Sequence, residues 1–295
     1  MDGFELNRRI CYDGMERRLI LMDYVVKVAD FKDMEEAVAV EKAAMGDYVY
    51  VQTAWNYYWN TKGAFLCAYE DGQMVGIAHL AVLPDGAGWF EALRVHPEHQ
   101  NKGVGKALYR KALELIESDL HCTSLSMYTG PTNLRSAGLA ALYGLTTVYE
   151  HKEYNYKVDG PKDTHGFIYA DWEEAEKLAL PLAEEYGNFV SVNRTWYRIN
   201  TPNVRMLADK EFFYTDGEGN FVCVGTRFQH GKKLFVGMLG GDYRKGLDFA
   251  VNLAAAMNIP TVTCTFTAVN TKLEEALKDY GFIFAADLIT KERVF

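Results

Sequence analysis

Apolar positions in the first half of the chain fall into short strand-like runs and longer runs with a helical period, in an order that predicts an α/β domain. A strand is predicted at Tyr24 to Val28, a helix from Asp33 to Ala44, and a second helical stretch at Thr53 to Trp59. Strands follow at Phe65 to Tyr69, Met74 to Val82 and Trp89 to Val95, separated by the turn signals Glu70-Asp71-Gly72 and Pro84-Asp85-Gly86. From Gly105 to about Leu120 apolar residues recur at Val104, Leu108, Ala112 and Leu115, the period of a helix with one buried face. Thr123 to Tyr128 then reads as a strand and Asn133 to Tyr143 as a helix.

Gly160-Pro161-Lys162-Asp163 interrupts this order, after which it begins again. Strand Phe167 to Tyr169, helix Trp172 to Tyr186, strands near Phe212, at Phe221 to Phe228 and at Leu234 to Leu239, helix Gly246 to Met257 and strand Thr261 to Phe266 echo the first half. Asn133 precedes Gly144-Leu145 by 11 positions, and Asn270 precedes Gly281-Phe282 by the same 11. The chain therefore reads as an internal repeat. Its parts are an N-terminal extension at 1–23, a first domain at 24–159 and a second at 160–295.

Composition narrows the function. A net charge of -9 without a Lys/Arg block disfavours nucleic acid as a partner. No apolar run approaches the roughly 18 residues of a membrane span, and the N-terminus lacks the order of a signal peptide, so a cytoplasmic protein without a membrane partner is expected. Cys11, Cys67, Cys122, Cys223 and Cys264 are dispersed through apolar runs, as buried small hydrophobes in a reducing compartment would be. The histidines form no ligand-spaced cluster with them, so no metal is expected.

The chemistry concentrates between Leu93 and Leu108, where a strand ends at Pro97, a loop carries Gly103 and Gly105, and an amphipathic helix begins. Backbone N-H groups there converge at the positive end of a helix dipole, an arrangement that suits a pyrophosphate, with Lys102 and Lys106 adding charge beside it. A plain tight turn also explains two glycines before a helix. The flanks favour the first reading: Gln100-x-x-Gly103-x-Gly105 resembles the acetyl-CoA motif of the GNAT superfamily of N-acetyltransferases, preceded by Leu93-x-Val95-x-Pro97 and followed by Asn133-x-x-Ser136.

The resemblance, spanning residues 24 to 157 in element order, implies two GNAT-like α/β halves, each a twisted, mostly antiparallel mixed sheet flanked by helices. It implies acetyl-CoA as cosubstrate, held by Leu93, Val95, Gln100, Asn101, Lys102, Gly103, Val104, Gly105, Lys106, Asn133 and Ser136. The Val95 N-H would be the oxyanion donor. Glu91 is the candidate base, with a solvated strand-end carboxylate as the alternative, and His79 on the neighbouring strand is a second candidate. Tyr143 is the nearest tyrosine to the position from which relatives protonate the thiolate, although it lies about 60° round the helix from it. Tyr48, Tyr50, Trp55 and Tyr58, in a densely aromatic stretch, are candidates for the acceptor wall, core packing being the alternative. Aligning Gly246 with Gly103 puts Asp248 where the second glycine stands, which predicts a degenerate second half without cofactor. Acetyl transfer to a primary amine of a small molecule is the expected function. The alternatives are a non-catalytic acyl-CoA-binding module and a peptide or protein N-terminal acetyltransferase.

Overall fold

The structure, a computed structural model, describes residues 7–11, 20–228 and 231–295, with side chains described from Tyr24 onward. Its first half runs β1 (Asn7–Cys11), β2 (Ile20–Val28), α1 (Met34–Met45), α2 (Val51–Asn60), β3 (Gly63–Glu70), β4 (Gln73–Val82) and β5 (Gly88–Val95). It continues with α3 (Val104–Leu115), β6 (Ser124–Thr129), α4 (Leu134–Leu142) and β7 (Thr146–Lys157). The second half begins with β8 (Ile168–Tyr169), α5 (Trp172–Ala179), β9 (Phe189–Val192), β10 (Thr195–Arg198), α6 (Thr201–Asp209) and β11 (Phe213–Thr215). It closes with β12 (Phe221–Gly225), β13 (Leu234–Gly240), α7 (Tyr243–Ala256), β14 (Thr261–Thr267), α8 (Thr271–Tyr280) and β15 (Ile283–Val294).

Local chemistry accounts for the departures from the sequence reading. The helix expected to reach Tyr186 stops at Ala179 and passes into a 3-10 turn at Leu180–Leu182, because Pro181 lacks an N-H and its ring clashes with the preceding turn. Within the expected extension, Asn7–Cys11 pairs antiparallel with Ile20–Tyr24 at the sheet edge, while its residues 1–6 and 12–19 lie outside the described residues. The equal Asn-to-Gly spacings mark helix caps: the Asn133 side chain accepts from Ser136 N, and the Asn270 side chain accepts from Leu273 N. Gly144 and Gly281 follow these helices with φ of 82° and 106°, a conformation that favours glycine.

Each half contributes a mostly antiparallel mixed sheet, and the two join into one 13-stranded sheet of order β1-β2-β3-β4-β5-β6-β15-β7-β14-β13-β12-β11-β8. Among the described strands only β5 with β6 and β13 with β14 run parallel. The centre holds a reciprocal exchange. β15, the last strand of the second half, lies between β6 and β7 of the first, and β7 lies between β15 and β14 of the second. The apolar core respects no boundary either: Leu83 and Trp89 belong to a cluster made mostly by the second half, and Phe228 packs into the α1–α2 cluster of the first. Among the described residues no helix is long and apolar enough to cross a membrane. Cys67, Cys122, Cys223 and Cys264 are buried free thiols, and the Cys11 side chain lies outside the description.

The exchange makes a direct prediction. A fragment of residues 24–159 lacks β15, so β6 and β7 lose the strand that bridges them and expose unpaired backbone. Alone it should lack a cooperative unfolding transition by circular dichroism, and co-expression with 160–295 should restore one. An isolated fragment that unfolds as cooperatively as the whole chain would contradict the exchange.

Candidate functional site

β5 and β6 stay paired only at Gly88↔Leu125 and Trp89↔Ser126. The cause of their separation lies on β5. Between the pairs Ile77↔Arg94 and His79↔Glu91 the register slips by one residue, and Ala92 adopts φ 54°, a left-handed conformation uncommon outside glycine. Such a bulge bends its strand. His96 N donates to Val75 O at 2.9 Å, so strand alternation turns the N-H and C=O of Val95 away from β4 and towards the gap. Gln100 Nε2 donates to the Val95 carbonyl at 3.2 Å from that side. The gap opens into a cleft of about 1140 Å³ lined by both halves of the chain.

At one end of the cleft stands the N-terminus of α3. Its cap is Gly103, φ 106°, and no side chain bonds the first-turn amides. The opening N-H groups of a helix have no partner within it, so those of Val104 and its successors offer donors in the field of the helix dipole. Gln100, Asn101, Gly103, Val104, Gly105 and Lys106 all line the cleft, whereas Lys102 does not. A Cβ at Gly105 would stand 3.0 Å from Leu139 Cδ2, so α4 packs close against this turn. From α4 come Asn133 and Ser136, together with Arg135, which the sequence reading missed and which bonds the Gln100 side-chain oxygen. Leu93 and Val95 line the intervening wall. The residues present suit a long ligand with an anionic head at α3 and an amide-bearing arm along β5.

At the other end the aromatic stretch divides. Tyr48 and Tyr50 line the cleft, but Trp55 and Tyr58 are 2% and 3% exposed and belong to the α1–α2 core, which corrects their expected place on the acceptor wall. Their position on the inward face of α2 is the reason. Tyr50 stacks on Phe228 of the second half, ring centroids 5.4 Å apart at 18°. Asn193, Arg194, Lys232, Lys233 and Phe235 complete this end from the second half. No motif in the sequence marked them, because the exchange that brings them here is a long-range event.

The three residues proposed for proton transfer are placed differently from expectation. Glu91 lines the cleft, but both its oxygens are taken: Arg227 Nη1 donates to Oε2 at 3.0 Å and Arg227 Nη2 to Oε1 at 2.9 Å, while His79 Nδ1 lies 3.1 Å from Oε1. Burial pushes the Glu91 carboxyl up, yet the Arg227 charge and the hydrogen bonds outweigh it and hold it at about 2. It is a weak proton acceptor. His79 is fully buried, does not line the cleft and has its pKa lowered, chiefly by burial, so it steadies Glu91 from within the sheet. Tyr143 donates to the Lys106 carbonyl at 2.8 Å, stacks on Tyr109 at 5.1 Å and does not line the cleft. Ending α4 rather than facing the gap, it is not placed to protonate a leaving group there.

Arg227 was legible only as one more cation, yet it joins the halves. It is 7% exposed, its Nε donates to the Tyr57 hydroxyl at 3.1 Å, and it also bonds Thr195.

The second half closes its own equivalent of the cleft. The register assumed from sequence shifts, for α7 begins at Tyr243 and Asp242, not Gly246, stands at the cap. The Asp242 carboxylate accepts from Arg244 N at 2.9 Å and so occupies the helix end itself. Asp248 lies further along, bonded by Tyr280 Oη at 2.6 Å and 3.0 Å from His165 Nε2. Between β13 and β14 stands the fully buried Tyr186. Its hydroxyl donates to Leu239 O at 2.7 Å and accepts from Leu239 N at 3.0 Å, using the kind of backbone groups that the first half leaves facing its gap.

One further group escaped the sequence reading: His96, Glu98 and His99 bring ligand atoms within 4.8 Å of one another, although His99 Nδ1 already lies 2.5 Å from Glu70 Oε2.

Comparison with known proteins fits this geometry. The sequence profile of the Acetyltransferase (GNAT) family matches residues 32–145. No protein of curated function matches the sequence significantly. Among solved structures, a candidate acetyltransferase from Pyrococcus horikoshii is 15% identical with a TM-score of 0.66, covering 96% of this chain and 93% of its own. A GCN5-related N-acetyltransferase from Sphaerobacter thermophilus is 13% identical with a TM-score of 0.64, covering 92% and 95%. A tandem GNAT protein of the clavulanic acid biosynthesis pathway is 17% identical with a TM-score of 0.58, covering 92% and 98%. At these identities the likeness is one of fold.

The buried pair makes a stability prediction. Arg227→Gln strands the Glu91 carboxylate without its counter-charge, and breaking a buried pair in this way costs about 3–5 kcal/mol. Glu91 titrates below its ordinary 4.5, so the pair's contribution is whole above that pH and fades as the pH falls towards about 2. Urea denaturation should show the full loss at neutral pH and a shrinking difference from the wild type on acidification. Equal midpoints at neutral pH would contradict the role given to the pair.

Proposed function

Because the chain is a tandem GNAT-fold protein whose first half, through residues 32–145, belongs to the GNAT family of acetyltransferases, we propose that it transfers the acetyl group of acetyl-CoA to a primary amine of a small molecule by direct attack. The observation that carries this reading is the uncapped N-terminus of α3 opening into the gap between β5 and β6. When bound, acetyl-CoA supplies the activated acyl group as a thioester. The amides that open α3, with Lys106 beside them, would hold its pyrophosphate. The backbone of Leu93 and Val95 would bond its amide arm, with Asn133, Arg135 and Ser136 along the facing wall. The Val95 N-H, turned into the gap, would polarise the thioester carbonyl as a preorganised dipole.

The acceptor would enter from the Tyr48–Tyr50 side, across the residues the second half contributes. Glu91 is better suited to hold the bulged strand through Arg227 than to strip the amine. The cleft is open, and an amine there can lose its proton to water, so the dependence of rate on pH should follow the acceptor. No acid from Tyr143 is required either, since a thiol pKa of about 8.5 makes thiolate a good leaving group near neutrality.

Two substitutions test these assignments. Gly105→Asp sets a carboxylate against the pyrophosphate position, where like charges at about 4 Å repel by about 4 kcal/mol at an intermediate dielectric. The KM for acetyl-CoA should rise about a hundredfold or more, while Gly105→Ala, whose methyl needs only a small shift of Leu139, should stay close to wild type. Unchanged KM in a folded Gly105→Asp would remove the loop from the cofactor site. Tyr143→Phe should lower turnover less than about tenfold, or at most roughly 1.4 kcal/mol of barrier. A loss of a hundredfold with intact cofactor binding would return Tyr143 to the role of acid.

A further inference from the structure

The acceptor end of the cleft carries a charge at odds with the chain as a whole, whose net charge is -9. Arg94 lines it from β5. Its Nη1 donates to Leu93 O at 2.9 Å and its Nη2 to the Tyr50 hydroxyl at 3.1 Å, while its Nε is buried with no partner. Among the described residues it has no ion-pair partner. Glu41, packed nearby, gives its Oε2 to the backbone N-H groups of Tyr50 and Val51 at 3.0 and 2.8 Å. The neighbouring Arg227, which reaches over from the second half, is neutralised on the spot by Glu91.

On the facing wall Arg194 is likewise paired with Glu153 at 2.7 Å, but Lys232 and Lys233 bring two more positive charges that pair with no carboxylate among the described residues, Lys233 Nζ lying 3.5 Å from Asn155 Oδ1. The exposed Asp47 and the bridged Glu91 are the acidic residues that line the cleft. A guanidinium held partly out of water without a counter-ion is costly. Its planar fork suits a carboxylate, which supplies the missing charge and hydrogen bonds together. Beside it, the stacked faces of Tyr50 and Phe228 offer apolar surface.

We infer that the acceptor amine also carries a carboxylate, as an amino acid or small peptide does, and that Arg94 receives that carboxylate with Lys232 and Lys233 adding attraction from the second half. The inference rests on the acetyl-transfer reading and narrows it. Polycationic amines such as polyamines and aminoglycosides meet repulsion in the same place. The second half would then contribute to substrate choice rather than to cofactor binding.

Matched pairs test this: leucine with isopentylamine, phenylalanine with phenethylamine and lysine with cadaverine, plus spermidine and a set of dipeptides, each with acetyl-CoA and detection of free CoA thiol. In the best pair the carboxylate-bearing member should have a kcat/KM at least about tenfold higher, the order of one charge-assisted contact. Arg94→Gln should collapse that ratio towards one through the KM of the carboxylate-bearing member, and Arg94→Lys should restore part of it. Whether free amino acids or dipeptides lead tells the two sources of the carboxylate apart. Preference for the decarboxylated amines or for spermidine, or a preference that survives in Arg94→Gln, overturns the inference while leaving acetyl transfer intact. Failure to acetylate any amine, although acetyl-CoA binds, overturns the acetyl-transfer reading and this inference with it.

Discussion

Much of this molecule depends on where β15 pairs. A strand made last in the chain lies between β6 and β7, both made in the first half, and its backbone bonds to each of them. Without it β6 would end the first sheet. With it the sheet runs on into the second half, and the β9–β10 turn and Phe228 come to lie over the cleft between β5 and β6. The second half therefore completes the wall of the site while belonging, by chain order, to a separate repeat.

Such a join places polar strands in the middle of the protein, and they are satisfied in pairs. On β7, Glu153 meets Arg194. His151 accepts from Trp196 Nε1 at 3.0 Å and therefore carries its hydrogen on Nε2, towards Thr290 Oγ1, while burial lowers its pKa to about 3 and keeps it neutral. The Glu91–Arg227 pair follows the same logic at the bulge, where the strand that must bend is tied to the opposite half. Buried charges of this kind gain little net stability but are costly to separate, so they fix how the halves meet. They also leave Glu91 with too little proton affinity for the task its position suggested.

The sequence made the first half legible because its elements carry apolar periods and because glycines at the start of α3 have a specific backbone purpose. Gly103 needs a positive φ, and Gly105 lies against Leu139. β7 and β15 carry no apolar period that would mark them: Glu150-His151-Lys152-Glu153 and Lys291-Glu292-Arg293 are polar, and only their partners from distant segments make them central strands. The same distance hid Arg227, Arg194 and Phe228 from the site. Tyr48 and Tyr50 could not be told from Trp55 and Tyr58 by composition, since the first two precede α2 and line the cleft while the other two lie on the buried face of α2. The register assumed for the second half at α7 differs from the observed one, because Gly246 imitates a loop glycine while Asp242 caps the helix.

The two halves thus share a frame and differ in what fills it. In the first, the helix cap is a glycine and the strands part over open space; in the second, a carboxylate caps the helix and Tyr186 stands between the strands, bonded to Leu239. The contrast is one of occupied hydrogen bonds, and residues of the second half line the far end of the cleft in the first. Calorimetric titration of the intact chain with acetyl-CoA tests this division of labour most directly. The account predicts one site per chain, and two sites, or one that survives when the β5–β6 cleft is blocked, would contradict it.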